Sequence, residues 1–323
     1  MEGRRFYLEL FDRFSPDKVN IESLKHSMSR GQYITERRIV EIKEIADSAA
    51  DFVKAGVMGG IDIATLLSLA FKDGVLPPIT LNADTMPESV DSVSSYSDAV
   101  AANDGAELAA LLISALAERG ITVGEEDFLK EELRDETIAY VKNPFADEAY
   151  DVFSTELSDP RVSYVRSFKD ALNMLDAGEA GYCLLPLEER GARLSTIGEM
   201  IFRGDFKINS VTPVFGFDGL ADMKYALVSK SFTVPPIDED DDRYLEIRIA
   251  ARECDISDIL LAARRYNVAL YRINSSIYDI EGNNELYYSI VFKEDGSDFT
   301  ELLAYLTLFF GDYTPVGIYK NLE

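Results

Sequence analysis

Along residues 243–323 the hydrophobic and polar positions switch between two periods. Over 244–249, Leu245, Ile247 and Ile249 alternate with Glu246 and Arg248, the period-two pattern of a half-buried strand. Behind Ser257, a residue suited to cap a helix, Ile256, Ile259, Leu260 and Ala263 recur at helical spacing. Two extended runs, 268–273 and 286–292, flank a turn signal at Gly282, Asn283 and Asn284. A second helix over 298–309 and a closing strand near 315–319 complete a βαββαβ order of the ferredoxin-like kind. That order predicts a fold and no activity, because such folds host many functions.

Residues 1–135 read as mainly helical. Ile39, Ile42, Ile45, Ala46, Ala49 and Val53 trace one helical face, which Gly59 and Gly60 end. A more apolar helix follows over 61–71, then Pro77 and Pro78 impose an extended link. The Asp-, Ser- and Asn-rich stretch 82–104 predicts a loop with a short helix. A third helix over 107–119 buries Leu108, Leu111, Leu112 and Leu116 and stops at Gly120. The seven acidic residues of 121–136 predict a solvated helix or linker.

Over 136–233 strands and helices alternate: strand at 137–141, helix after Asn143, strand at 162–165, helix at 167–175, strand at 182–189. This predicts one doubly wound α/β lobe with a parallel sheet, any ligand lying at the carboxyl ends of its strands. Pro235, Pro236 and the acidic run 238–242 read as a linker; the run lacks the alternating ligands and central glycine of a calcium loop. The fold class is therefore α/β plus α+β: a helical region (1–135), an α/β lobe (136–233) and a βαββαβ unit (243–323).

Composition narrows the function. A net charge of −26 argues against a nucleic-acid partner and an anionic membrane surface. The single histidine, His26, excludes a histidine-based triad within one chain and any multi-histidine metal site. Cys183 and Cys254 fall in separate elements with no metal or disulfide spacing, and read as core residues of a reducing compartment. No signal peptide or membrane span is expected, and the protein is read as cytoplasmic, with no cofactor and no metal.

The residues at 308–315, from Leu308 through Phe310 and Tyr313 to Pro315, resemble the leucine–glycine–serine–tyrosine–proline ending of the ACT domain in prephenate dehydratases. Residues 272–277 stand where that family has its isoleucine–glutamate–serine–arginine ligand motif, and 286–292 where it has a tyrosine-rich strand. The middle of the chain is similar to the family's catalytic domain. Asn143, Pro144, Phe145, Ala146 and Asp147 take the place of its glycine–threonine–phenylalanine–serine–glutamate turn. Pro186, Leu187, Glu188, Glu189 and Arg190 take that of its proline–isoleucine–glutamate–asparagine–serine motif. Met223, Lys224 and Tyr225 take that of its threonine–arginine–phenylalanine motif. The resemblance spans residues 137–323. It implies ligand candidates at Asn143, Phe145, Pro186, Glu188 and Lys224. It also implies ACT-type ligand candidates at Asp255, Ser257, Asn274, Ser275 and Ser276, and a homodimer through the ACT-like part.

The departures bear on chemistry. Met223 has no proton to give where the motif threonine would face the leaving hydroxyl. Lys224 keeps the charge of the motif arginine and loses its planar fork. Pro144 has no backbone N–H, and Ala146 stands for a serine. Residues 137–232 have room for one α/β lobe where the family has two with substrate between them, so residues 1–130 or another subunit would have to close the cleft, or there is none. The expectation is a prephenate-dehydratase-like protein of phenylalanine metabolism, catalytically degenerate, sensing an amino acid or prephenate-like molecule. The alternative is an active enzyme of the same pathway, either a divergent dehydratase or a chorismate mutase. The mutase would use Lys25, Arg30, Arg37, Arg38 and Lys43, but Arg37, Arg38 and Lys43 read rather as partners of Glu36, Glu41 and Glu44 along an exposed helix. Adjacent Glu188 and Glu189 are expected on opposite faces, as solvated carboxylates. Tyr266, Tyr271, Tyr287 and Tyr288 read as sheet packing.

Overall fold

The computed structural model describes residues 21–72, 93–132, 135–215, 221–236, 242–252, 256–280, 283–296, 298–310 and 313–322. Helix α1 (Ile21–Met58) stops at the Gly59–Gly60 turn, where Gly60 takes a left-handed φ of +84°. Asp62 then opens α2 (Ile63–Lys72) by accepting the backbone N–H of Thr65 at 3.0 Å. Helix α3 (Val93–Glu118) begins well before the predicted 107. Four alanines between 99 and 106 outweigh the Ser, Asp and Asn that suggested a loop. Arg119 clamps its end to α1, donating to Asp51 at 2.7 Å and Asp47 at 3.1 Å.

Strand β1 (Thr137–Val141) leads into α4 (Pro144–Ser154), β2 (Arg161–Val165), α5 (Phe168–Ala177) and β3 (Tyr182–Glu189). Then come β4 (Ala192–Arg193), α6 (Ser195–Arg203), β5 (Lys207–Phe215) and β6 (Ala221–Ser229). Last are β7 (Arg243–Ala250), α7 (Ile256–Arg265), β8 (Val268–Ile280), β9 (Asn283–Glu294), α8 (Thr300–Phe309) and β10 (Thr314–Asn321).

All ten strands join one mixed sheet of order β2-β1-β3-β6-β5-β10-β7-β9-β8, with β4 beside β3. The expected parallel lobe is only partly present. β1 pairs in parallel with β2 and β3, whereas β6 runs antiparallel to both β3 and β5. The physical reason is connection length: helical crossovers link β1, β2 and β3, but only five residues separate β5 from β6, enough for an antiparallel return. The last four strands have the predicted βαββαβ element order. Their sheet joins the lobe through a short parallel seam, where Lys320 and Asn321 pair with Ser210 and Val211. Gly317 permits this approach, since an added Cβ there would overlap the carbonyl oxygen of Ile208.

One core lies between α7, α8 and the three N-terminal helices, against Leu245, Ile247, Ile249, Ile290, Phe292 and Ile318 of the sheet. The lobe has a core on each face. Helix α4 covers Ile138, Tyr140, Leu184, Val214 and Tyr225, while α5 and α6 cover Ala139, Cys183, Leu185, Leu187 and Val211. The N-terminal helices therefore pack on the helical face of the C-terminal unit. They do not close over the strand ends at Asn143, Pro186 and Met223.

The stretch 121–136 is not simply a solvated linker. Leu129 is fully buried in the helical core, and Glu125 is buried in a short 3-10 turn (Glu125–Asp127). Glu125 accepts the backbone N–H of Phe299 at 2.9 Å and pairs with Arg243, which is 0% exposed and also reaches Glu294 at 3.2 Å.

Candidate functional site

The motif positions singled out in β3 and β6 are cross-strand neighbours. Pro186 pairs with Tyr225, Glu188 with Lys224, and Glu189 with Met223. The register shifts between Pro186 and Glu188, so the strand takes one extra residue at Leu187. Strict alternation would put Glu188 on the same face as Leu184 and Pro186. The bulge instead turns it onto the opposite face with Leu187, as bulges re-aim side chains. Glu189 stays exposed, so the two carboxylates do part, but Glu188 is buried and not solvated as the sequence suggested.

The sheet splits the candidates into two groups. On the α4 side lie Asn143, Phe145, Met223 and Tyr225. Asn143 is the N-cap of α4: its Oδ1 accepts the N–H of Ala146 at 3.0 Å and its Nδ2 donates to Val141 O at 3.0 Å. The Tyr225 hydroxyl donates to the same Oδ1 at 3.4 Å, and burial pushes its pKa up, so it stays protonated. This group reads as helix capping and core, with one protonated phenol already engaged.

On the other side Glu188 and Lys224 meet the C-terminal sheet. Arg272 of β8 grips Glu188 with two nitrogens, at 2.6 and 3.3 Å. Burial pulls the Arg272 guanidinium down, and its bonds and attraction to Glu188 outweigh this, for a net upward shift. Two strands inward, Glu246 of β7 is fully buried and accepts from Arg193 of β4 at 2.9 and 3.1 Å, from Ser289 at 2.8 Å and from Tyr319 at 3.4 Å. Burial raises the Tyr319 phenol, and the Glu246 charge raises it further. Tyr244 packs edge-to-face on Tyr271, with ring centroids 5.0 Å apart. Glu188, Arg193, Lys224, Tyr244, Tyr271, Arg272, Tyr319 and Asn321 together line a crevice of about 20 Å³, room for roughly one water. Within it the Asn321 Oδ1 is buried without a hydrogen-bond partner.

Chemically, this junction holds charge and offers little for proton transfer. Both buried carboxylates are matched by arginines, Lys224 makes no ion pair among the described residues, and no hydroxyl stands at Met223. Sequence reasoning missed Arg193, Glu246 and Arg248. Glu246 and Arg248 stood on what reads as the polar, outward face of a strand, and nothing in the sequence announced that a second element covers that face.

The ACT-type candidates divide too. Asn274 and Ser276 share the junction face through their register with Ser289 and Tyr287, whereas Ser275 lies exposed on the opposite face beside Tyr288. Ser257 opens α7, and Asp255 lies outside the described residues. Cys254 lies outside them as well, as do the side chains of His26, Lys25, Arg30, Arg37 and Arg38; Lys43 is exposed. Of the tyrosines, Tyr266 is buried and donates to Ala106 O at 2.7 Å, while Tyr278 and Tyr287 cluster with Phe202. Among the described residues no group of three or more His, Cys, Asp or Glu is placed to hold a metal ion. No helix among them is long and apolar enough to cross a membrane.

No family model and no curated protein matches the chain. Among solved structures it is similar to a prephenate dehydratase from Streptococcus mutans, at 13% identity and a TM-score of 0.44, over 58% of this chain and 99% of that one. It is similar to a prephenate dehydratase from Arthrobacter aurescens described in complex with L-Phe, at 14% identity and a TM-score of 0.42, over 57% and 89%. It is also similar to a protein described as a novel type of quorum-quenching acylase, at 16% identity and a TM-score of 0.42, over 58% and 95%.

Proposed function

We propose that this chain is a prephenate-dehydratase-like protein that has lost the dehydration and serves as a ligand-responsive regulatory protein in phenylalanine metabolism. On this reading residues 136–233 descend from the catalytic lobe and 243–323 act as an ACT-type module. The observation that carries it is the Glu188–Arg272 pair across the crevice beside Lys224, which leaves about 20 Å³ where a substrate would need several hundred. Support also comes from the matched positions, which keep their order: those of β3 and β6 lie on paired strands and those of 143–147 at the start of α4, while the donors they would supply are replaced by Met223, Pro144 and Ala146.

The C-terminal sheet ends in β8, a 13-residue edge strand with Leu270, Tyr271, Ile273 and Ile277 exposed, and this supports a homodimer formed along that edge. Thermal melts with phenylalanine, tyrosine and prephenate test the proposal. A saturable rise in melting temperature with at least one of them is the expected result, and flat curves with all three would overturn it.

A further inference from the structure

Beside Lys224, Arg248 is a second cation at the junction that makes no ion pair among the described residues. It sits on β7, two residues from Glu246 on the same face, and is 4% exposed. Its Nε is buried with no hydrogen-bond partner, and the carboxylates of Glu246 and Asp205 act on it through space; Asp205 is already held by Lys207 at 2.6 Å. The neighbouring Glu246 already has Arg193, Ser289 and Tyr319, and Glu188 has Arg272, so neither is free to answer it. Around the junction three carboxylates, Glu188, Glu246 and Asp205, thus stand against five cations, Arg193, Arg248, Arg272, Lys207 and Lys224, an excess of positive charge inside a protein of net charge −26.

What surrounds Arg248 is a box. The guanidinium lies 4.9 Å from the centroid of Phe202 and 5.8 Å from that of Tyr278. Phe202 in turn stacks on Tyr278 at 4.4 Å and leans on Tyr287 at 4.9 Å. These rings offset part of the cost of burying the cation, though less than the penalty of a buried unpaired charge. Burial accordingly depresses the Arg248 pKa, with the Glu246 charge opposing. In the same row of the sheet, Ser289 stands directly opposite Arg248, and Asn274 stands next beyond it on β8. The Asn274 amide makes no hydrogen bond among the described residues, and its half-buried position faces the box from the open edge. Gly198 of α6 is buried beside the rings, yet an added Cβ there would meet only the Tyr278 hydroxyl, at 3.8 Å, so the roof is not tightly packed at that point.

We propose that Arg248 is an anion site for the carboxylate end of a small organic acid, with the Asn274 amide as second donor and Phe202, Tyr278 and Tyr287 as walls. A carboxylate suits the planar fork of a guanidinium better than a spherical ion does. The site is distinct from the Glu188–Lys224 crevice and stands whether or not the chain is a lapsed dehydratase.

The test is thermal melting of the full chain in sodium formate and sodium acetate against sodium chloride and sodium phosphate, at constant ionic strength. The expected result is a saturable rise with the carboxylates that chloride and phosphate do not give. In Arg248→Met that response should vanish, and Asn274→Ala should weaken the apparent affinity about 10-fold. Should Arg248→Met fail to fold, Asn274→Ala carries the test, since its side chain is half-exposed and ties no other element. Equal responses to all four salts in the native protein, or an unchanged carboxylate response in either variant, would overturn the proposal.

Discussion

Replacing Arg243 by methionine should loosen the tie between the N-terminal segment and the C-terminal sheet. Arg243 is fully buried, and its guanidinium bonds Glu125 of the 3-10 turn and Glu294 at the end of β9. Methionine keeps most of the volume and removes the charge, leaving Glu125 buried with only the Phe299 N–H. Removing one member of a buried pair costs about 3–5 kcal/mol. Two features place this case at the low end. The Glu294 side chain is 17% exposed and can turn to solvent, and Glu125 can take up a proton. A loss of about 3 kcal/mol corresponds to a fall in melting temperature of about 4 °C for a chain of this size.

The pH dependence follows from the same contacts. Burial already raises the Glu125 carboxyl above its ordinary value, and the Phe299 N–H and the charge of Arg243 hold it down. Without Arg243 it rises further. A carboxyl whose folded pKa exceeds its unfolded one costs stability as pH climbs through that window and recovers it as pH falls. The deficit of Arg243→Met should therefore shrink between pH 7 and pH 5. The double variant Arg243→Met with Glu125→Gln should be more stable than the single one, by about 1 kcal/mol or more. Urea unfolding of the four proteins of this cycle, at both pH values, is the assay. A deficit under about 1 kcal/mol, a deficit that does not change with pH, or a double variant worse than the single one would refute the reasoning.

Two further outcomes are expected. Asn143→Ala removes the α4 cap and should cost about 1 kcal/mol in urea unfolding, whereas Asn143→Asp or Asn143→Ser should cost less. Ile277 is 68% exposed on the β8 edge, so Ile277→Lys should shift the mass measured by light scattering toward the monomer value of 36.1 kDa, with the melting temperature of the monomer unchanged.

Periodicity located most strands of the lobe and the C-terminal unit, because alternation and turn residues are local signals. The contrast lies with features set by distant partners. Glu188 pairs with Arg272, 84 residues away, and only the bulge at Leu187 brings them together; no local pattern marks a bulge of this kind. Glu125 sits in an acidic run that looks solvated, yet Arg243, 118 residues away, recruits it into the core. Glu246 and Arg248 follow the polar half of an alternating strand, and β4 and α6 cover that half. The early start of α3 escaped notice for a different reason. Its Ser, Asp and Asn residues favour turns in isolation, and the four alanines between 99 and 106 outweigh that preference.

The proposal turns on Met223 of β6, which offers no proton where a dehydratase would need a donor, while the Tyr225 phenol beside it is already engaged by Asn143. Incubation of the purified protein with prephenate, followed by ultraviolet absorbance at neutral pH, tests it most directly. Product formation at the rate of the protein-free control is the predicted result. Formation well above that rate, abolished by Lys224→Ala, would contradict the account.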